Sequence, residues 1–135
     1  MAGIMTASSQ PGSTDAMAHR SPPASNSPAP LSAYSRFVQR LRRRYAGELS
    51  LLPPGEPLKS HIVEAYDALR SRGDNVADSL RTVRQLVMER LITLDCEQQA
   101  PLAVVTTAVT ELAEFALDVA CRDALAVLRL SLIHI

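Results

Sequence analysis

Three carboxylates, Glu111, Glu114 and Asp118, have a spacing that could support chemistry. Residues three and four apart point to the same side of an α-helix, so the three form one row. Such a row could bind a divalent cation or supply an acid and a base. Metal-binding carboxylates in helical bundles come with a Glu-x-x-His pair from a facing helix, and the sequence has no such pair. We interpret the row as a solvated or arginine-paired face.

Arginines form a second cluster, which runs from Arg40 to Arg44, and no acidic residue lies between Tyr34 and Gly47. Guanidinium groups could contact phosphate. Nucleic-acid surfaces also carry exposed aromatic side chains, but Phe37 and Tyr45 belong to an apolar stripe. We interpret the cluster as a solvated or salt-bridged helix face and expect no nucleic-acid partner; weak binding of nucleic acid stays open as an alternative.

Nucleophiles and metal ligands are few. We expect Cys96 and Cys121 to be free thiols in a reducing compartment. The histidines lack ligand spacing with the cysteines, and no Gly-x-Gly, Asp-x-Asp or Ser/His/Asp arrangement occurs. We therefore assign no catalytic, cofactor-binding or metal-binding residue. The three histidines are His19, His61 and His134.

Composition restricts the class of protein. The 135 residues include 14 basic and 14 acidic side chains, so no net charge attracts nucleic acid or an anionic membrane. Neither a secretory signal nor a membrane-spanning helix is evident, and we expect a cytoplasmic protein without a membrane partner. Because 47% of the residues are apolar but few are aromatic, a core of Leu, Val, Ile and Ala is expected, which favours packed helices.

The elements that would position these groups are all helical. We predict an all-α, up-and-down segment of about four helices, over residues 32–50, 58–72, 75–95 and 101–128. Residues 1–31 are rich in Pro, Ser and Ala and are predicted to be a disordered tail. Residues 32–126 form the helical region, and residues 127–135 read as an atypical end, from truncation or foreign sequence.

Caps and apolar stripes give the detail of this prediction. We expect Ser32 to cap the first helix, Gly73 to end the second in a left-handed conformation, and Asp74 or Asn75 to cap the third. A link over residues 95–100 precedes Pro101 in the first turn of the fourth helix. The predicted apolar stripes are Tyr34, Phe37, Val38, Leu41 and Tyr45; Leu58, Ile62, Ala65, Tyr66 and Leu69; Val76, Leu80, Val83, Val87, Leu91 and Leu94; and Val105, Val109, Leu112, Ala116 and Val119.

Arginines flank the stripe of the third helix. Arg81 and Arg84 lie with Met88 along one edge, and Arg90 lies along the other. Their stems can cover the core while the charged ends stay in water. We expect these arginines to pair with the carboxylate row of the fourth helix.

The third and fourth helices resemble a known family. The run Leu80-Arg81-x-x-Arg84-x-x-x-Met88-x-Arg90-Leu91 is followed by Thr110-Glu111-Leu112-Ala113-Glu114 and Ala120-Cys121-Arg122. Together with the segment from Tyr34 to Arg40, these motifs resemble the N-terminal region of bacterial glutamine synthetase adenylyltransferase. The resemblance covers about residues 34–124.

The resemblance implies a bifunctional enzyme. Members transfer AMP from ATP to a tyrosine of glutamine synthetase and remove it by phosphorolysis, with Mg²⁺ as the ion and a PII-type signalling protein as regulator. The family's Gly-x-Gly-Lys-x-Gly-Gly and Ser-Asp-x-Asp motifs are absent here, so no catalytic residue is carried over. We expect this chain to be an inactive N-terminal fragment; the alternative is a stand-alone helical protein-interaction module.

Overall fold

The computed structural model describes residues 29–134, and these residues form four α-helices and two short 3-10 turns without any strand. The helices are α1 (Arg36–Arg44), α2 (Lys59–Ser71), α3 (Val76–Gln98) and α4 (Leu102–Ile133). The 3-10 turns span Leu31–Tyr34 and Leu49–Leu51. The all-α prediction is confirmed, whereas most of the predicted disordered tail, residues 1–31, lies outside the described residues.

The core is built where α2, α3 and α4 pack together. The ring of the half-buried Tyr66 meets the buried ring of Phe115 edge-to-face, with centroids 5.3 Å apart and an interplanar angle of 78°. Edge-to-face pairs of this kind stabilise a core beyond the apolar area they bury. The buried residues of this core are Leu52, Ile62, Ala65, Leu69, Val83, Leu86, Val87, Leu91, Ala108, Leu112 and Phe115.

The start of α1 differs from the prediction. Ser35, not Ser32, is the N-cap, and its hydroxyl accepts from the Val38 amide at 3.4 Å. Ser32 is instead buried in the preceding 3-10 turn, where it donates to a carboxylate of α3. The helix ends at Arg44 rather than near residue 50. Val38 is buried as predicted, but Phe37 is 43% exposed.

Turns set the limits of α2 and α3. Gly73 has φ of 100°, the left-handed conformation expected just after α2, and Asn75 caps α3 by accepting from the Asp78 amide at 2.8 Å. The predicted link over residues 95–100 is too long, because no Gly or Pro stops the helix before Gln98. Gln99 turns the chain with φ of 49°, and Pro101 caps α4 instead of lying in its first turn.

Helix α4 is longer than predicted and is rotated about its axis relative to the predicted stripe. No Gly or Pro follows Pro101, so the helix continues to Ile133 and includes most of residues 127–135. Its buried residues are Ala108, Leu112 and Phe115, whereas Val109, which was predicted to be buried, is exposed. None of the helices in residues 29–134 is long and apolar enough to cross a membrane.

Candidate functional site

A groove with mainly apolar walls lies between the two long helices, α3 and α4. Its volume is about 410 Å³. The α3 wall comes from Leu80, Arg81, Arg84 and Met88, and the α4 wall comes from Val109, Leu112, Ala113 and Ala116.

Small residues on α4 keep the groove open. Leu112 is buried between the core and the groove, whereas beside it Ala113 is exposed and Ala116 is half-buried. Two alanines at this point leave room that leucines would fill, so the cleft between the helix axes is not closed by this chain's own side chains. The result is an apolar floor wide enough to receive side chains of another segment.

Two arginines stand at the α3 rim of the groove. Arg81 pairs with Asp78 on its own helix at 2.5 Å, and both side chains are exposed. Arg84 is exposed and forms no ion pair with any residue in 29–134. The rim therefore offers at least one guanidinium group to an acidic partner. The predicted edge of Arg81, Arg84 and Met88 is confirmed by this arrangement.

The groove extends toward the α3–α4 turn. A second hollow of about 280 Å³ continues from Met88 and Val109, and its walls are also mainly apolar. An apolar strip therefore follows most of the length of α3. The further residues that line this hollow are Leu91, Ile92, Asp95, Ala100, Leu102 and Val105.

The C-terminal part of α4, from Ala120 onward, has no packing partner among the described residues. Every residue from Ala120 to His134 is exposed. Leu117 is 67% exposed and Leu128 is 58% exposed. A helix that is apolar on most sides is usually buried, so this segment has the composition of an interface. Its other large exposed apolar residues are Leu125, Val127, Leu130, Leu132 and Ile133.

A partly buried polar network attaches α1 to α3. The Nε of Arg42 donates to Oε1 of Glu89 at 2.7 Å, and the Glu89 side chain is only 6% exposed. Arg42 also donates through Nη2 to Thr93 at 3.0 Å and to Ser32 at 3.2 Å. Ser32 in turn donates to Glu97. Each polar group in this network has a partner, which is the condition for burying charge at acceptable cost.

The arginine cluster predicted from the sequence is divided by this network. Arg42 faces α3, whereas Arg40, Arg43 and Arg44 are exposed. The guanidinium of Arg44 lies 5.6 Å from the centroid of the Tyr45 ring, at a distance typical of a cation–π contact. The cluster is thus partly salt-bridged and partly solvated, which agrees with the interpretation made from the sequence.

In the carboxylate row Glu114 and Asp118 are exposed and Glu111 is half-buried, and the row pairs with residues other than the arginines of α3. Asp118 pairs with Arg122 on α4, and Glu114 lies 3.9 Å from Lys59 of α2. The predicted pairing of this row with arginines of α3 is wrong for residues 29–134. Arg90 lies on the other side of α3 and donates through Nη2 to the carbonyl of Leu52 at 2.9 Å.

The cysteines and histidines of residues 29–134 do not form a common site. Cys96 is half-buried, Cys121 is exposed, and both are free thiols. The Nδ1 of His61 accepts from the Leu58 amide at 3.4 Å and so helps to begin α2. His134 follows the end of α4, and His19 lies outside the described residues. Within residues 29–134, no group of three or more potential ligands is arranged to hold a metal ion.

Sequence reasoning missed the polar network because its α3 members resemble a solvated face. Glu89, Thr93 and Glu97 recur every four residues, on the side of α3 away from its apolar stripe. The available signal was this polar row together with a five-residue run that holds four arginines. Neither feature alone distinguishes a buried network from a wet surface.

No protein-family model matches the chain. Comparisons with curated proteins and with solved structures find no match either.

Proposed function

We propose that this chain forms the helical opening segment of a glutamine synthetase adenylyltransferase, and that the α3–α4 groove receives the rest of that enzyme. One observation carries this proposal. Leu80, Arg81, Arg84 and Met88, on which the family resemblance rests, line a single groove together with Ala113.

These residues contribute little to this chain's own core. Arg81, Arg84 and Ala113 are exposed, and Leu80 and Met88 are only half-buried. Packing within the chain therefore gives no reason for an Arg-x-x-Arg-x-x-x-Met spacing, whereas an outside partner does. An apolar floor with guanidinium groups along one rim is complementary to a helix that carries an apolar stripe and adjacent carboxylates.

In this proposal the chain holds the remaining enzyme in position, and the remaining enzyme catalyses the reactions. ATP and Mg²⁺ belong to the rest of the enzyme, as do AMP transfer to glutamine synthetase, its phosphorolytic reversal and regulation by a PII-type protein. The purified chain is expected to transfer no AMP to glutamine synthetase. Transfer above background by the chain alone would contradict this assignment.

The test adds the chain to a glutamine synthetase adenylyltransferase from which the equivalent helical segment has been removed. We expect binding measurable by calorimetry, together with a rise in AMP incorporation into glutamine synthetase. Arg84→Glu should weaken binding by about tenfold or more, because it reverses a charge at the groove rim. Arg36→Glu is the matched control, because Arg36 is exposed at the start of α1 and away from the groove. Absence of binding up to about 100 μM would refute the proposal.

The second candidate is a stand-alone helical interaction module. The observation in its favour is the exposed apolar C-terminal part of α4, from Ala120 onward, which extends beyond the groove. The same assay separates the two candidates: the module predicts no change in AMP incorporation, because its partner is not the adenylyltransferase.

A further inference from the structure

We propose that the projecting part of α4 pairs antiparallel with α4 of a second copy of this chain. The pairing surface is the outer stripe, defined as Leu117, Cys121, Ala124, Leu128 and Leu132. This inference goes beyond the proposed function and does not depend on it.

The outer stripe has the geometry of a helix-pairing seam. Its residues recur at intervals of four, three, four and four, so they stay on one side of α4. That side is turned away from Leu112 and Phe115, which pack against α2 and α3. All five residues are exposed. A second helix can therefore approach the stripe without displacing any element of the fold.

The charges beside the stripe select a second copy in antiparallel orientation. Glu114, Asp118, Arg122 and Arg129 lie along one edge of the stripe, with the carboxylates first in the chain and the arginines after them. In an antiparallel pair related by a two-fold axis, this edge faces the same edge of the partner helix. Glu114 and Asp118 of each copy then lie beside the arginines of the other copy. The edge is thus complementary to itself.

A parallel pair does not achieve this complementarity. In a parallel pair the charged edge of one helix would lie beside the opposite edge of the other. That opposite edge is formed by Ala116, Ala120 and Val127, with Asp123 at its outer side. Glu114 and Asp118 would face no positive charge there, so the antiparallel arrangement is favoured.

The charges also fix the register. If Glu114 faces Arg129 of the second copy, the two-fold axis lies midway between these positions, beside Cys121. The two Arg122 residues then lie close together beside the axis, and each also lies within about one helical turn of the second copy's Asp118, whose carboxylate offsets their repulsion. Asp118 already pairs with Arg122 of its own helix, but both side chains are more than half exposed, so this pair opposes re-pairing only weakly.

The length of the contact suits a modest dimer. From Leu117 to Leu132 the helix extends about 24 Å. A pair of this length buries an area near the lower end of specific interfaces, about 1,200 Å² in total. Interfaces of this size are typical of weak association, so the titration has to extend to hundreds of micromolar.

The first experiment is sedimentation equilibrium of the whole chain from about 1 to 300 μM. The wild-type chain should shift from monomer to dimer, and Leu128→Glu should remain monomeric. Leu102→Glu is the matched control: it changes an exposed leucine of the same helix outside the stripe, so it should dimerise like wild type. A wild-type chain that is monomeric throughout would overturn the proposal.

Charge exchange tests the orientation. Glu114→Arg and Arg129→Glu should each weaken the dimer about tenfold, because each places like charges opposite one another. The double variant should restore wild-type affinity. Two single variants without effect would overturn the antiparallel register.

The native cysteine near the axis gives an independent readout. Oxidation of the chain with diamide should yield a disulfide-linked dimer in wild type and in Cys96→Ser, but not in Cys121→Ser. The expected separation of the two Cys121 residues, across a helix pair in this register, is compatible with disulfide geometry. A crosslink that persists in Cys121→Ser would overturn the register.

The variant Leu128→Glu distinguishes this dimer from the proposed function. In the calorimetric assay with the adenylyltransferase, Leu128→Glu should bind like wild type. If it blocks binding to the enzyme while the wild-type chain stays monomeric, the stripe contacts the enzyme and the second-copy proposal fails.

Discussion

Arg42 of α1 and Glu89 of α3 form an ion pair in which Nε donates to Oε1 at 2.7 Å. The carboxylate is almost completely buried, whereas the guanidinium keeps about a third of its surface in water. The two residues belong to different helices and are 47 positions apart in the chain. It therefore links the first helix to the central one.

Removing the arginine should cost more than removing its neighbour. Arg42→Ala leaves the Glu89 carboxylate buried without a counter-charge, and we expect the free energy of unfolding to fall by about 3 kcal/mol. Arg43→Ala, at an exposed position of the same helix, should change it by less than about 0.5 kcal/mol. Urea unfolding followed by circular dichroism measures both. Equal shifts in the two midpoints would show that the pair is not energetically significant.

Replacing the whole pair should be far less harmful than breaking it. The double variant Arg42→Met with Glu89→Leu removes both charges and keeps similar volume, so we expect most of the lost stability to return. Thr93 keeps a hydrogen bond to the backbone carbonyl of Glu89 at 3.0 Å in this variant. A double variant as unstable as Arg42→Ala would indicate that the network, and not the buried charge, determines the cost.

The turn after α3 carries local strain that glycine would relieve. Gln99 has φ of 49°, a conformation that glycine adopts at lower cost than a residue with a side chain. Gln99→Gly should raise the free energy of unfolding by about 0.5 kcal/mol. The same change in mid-helix, Gln85→Gly, should lower it by about 1 kcal/mol. Thermal unfolding of both variants tests the contrast, and a decrease at both positions would contradict it.

Two glycines should respond oppositely to alanine. Gly73 has φ of 100°, so Gly73→Ala should destabilise by about 1 kcal/mol even though nothing lies within 4 Å of the added Cβ. Gly47 is not in the left-handed region and has equally open surroundings. Gly47→Ala should be neutral or stabilising by about 0.5 kcal/mol. Denaturant midpoints measure both, and similar values would contradict the backbone argument.

The contact between Tyr66 and Phe115 should dominate the packing of α4. Phe115→Ala removes a large buried ring from the core, and we expect a loss of about 3–4 kcal/mol. Leu117→Ala, two residues later but exposed, should cost less than about 0.5 kcal/mol at concentrations where the chain is monomeric. Urea titration at low protein concentration provides the comparison. A large loss for Leu117→Ala would mean that α4 is packed in another orientation.

The sequence correctly predicted the features that are determined by neighbouring residues. Gly73 and Asn75 mark the α2–α3 turn through backbone freedom and side-chain capping, and both roles are confirmed. The stripe of Val83, Val87 and Leu91 is buried as its period predicts. These features depend only on neighbours within about one helical turn, so the sequence contains them directly.

Features that depend on distant partners could not be obtained in this way. Ser32 and Ser35 are both acceptable caps, and the choice depends on Glu97 of α3, which binds the Ser32 hydroxyl. The rotation of α4 likewise depends on how Phe115 meets Tyr66. The edge of Arg81, Arg84 and Met88 was predictable, but the groove needs Ala113 on the facing helix.

The polar attachment of α1 divides the molecule into two layers. The continuous core is formed by α2, α3, α4 and the segment that precedes α2, whereas Val38 and Leu41 are buried outside it. Opening α1 would therefore break the polar network of Arg42 and a small apolar contact but leave the core intact. In native-state hydrogen exchange, amides of α1 should exchange through a low-energy partial opening, while amides of α3 require global unfolding.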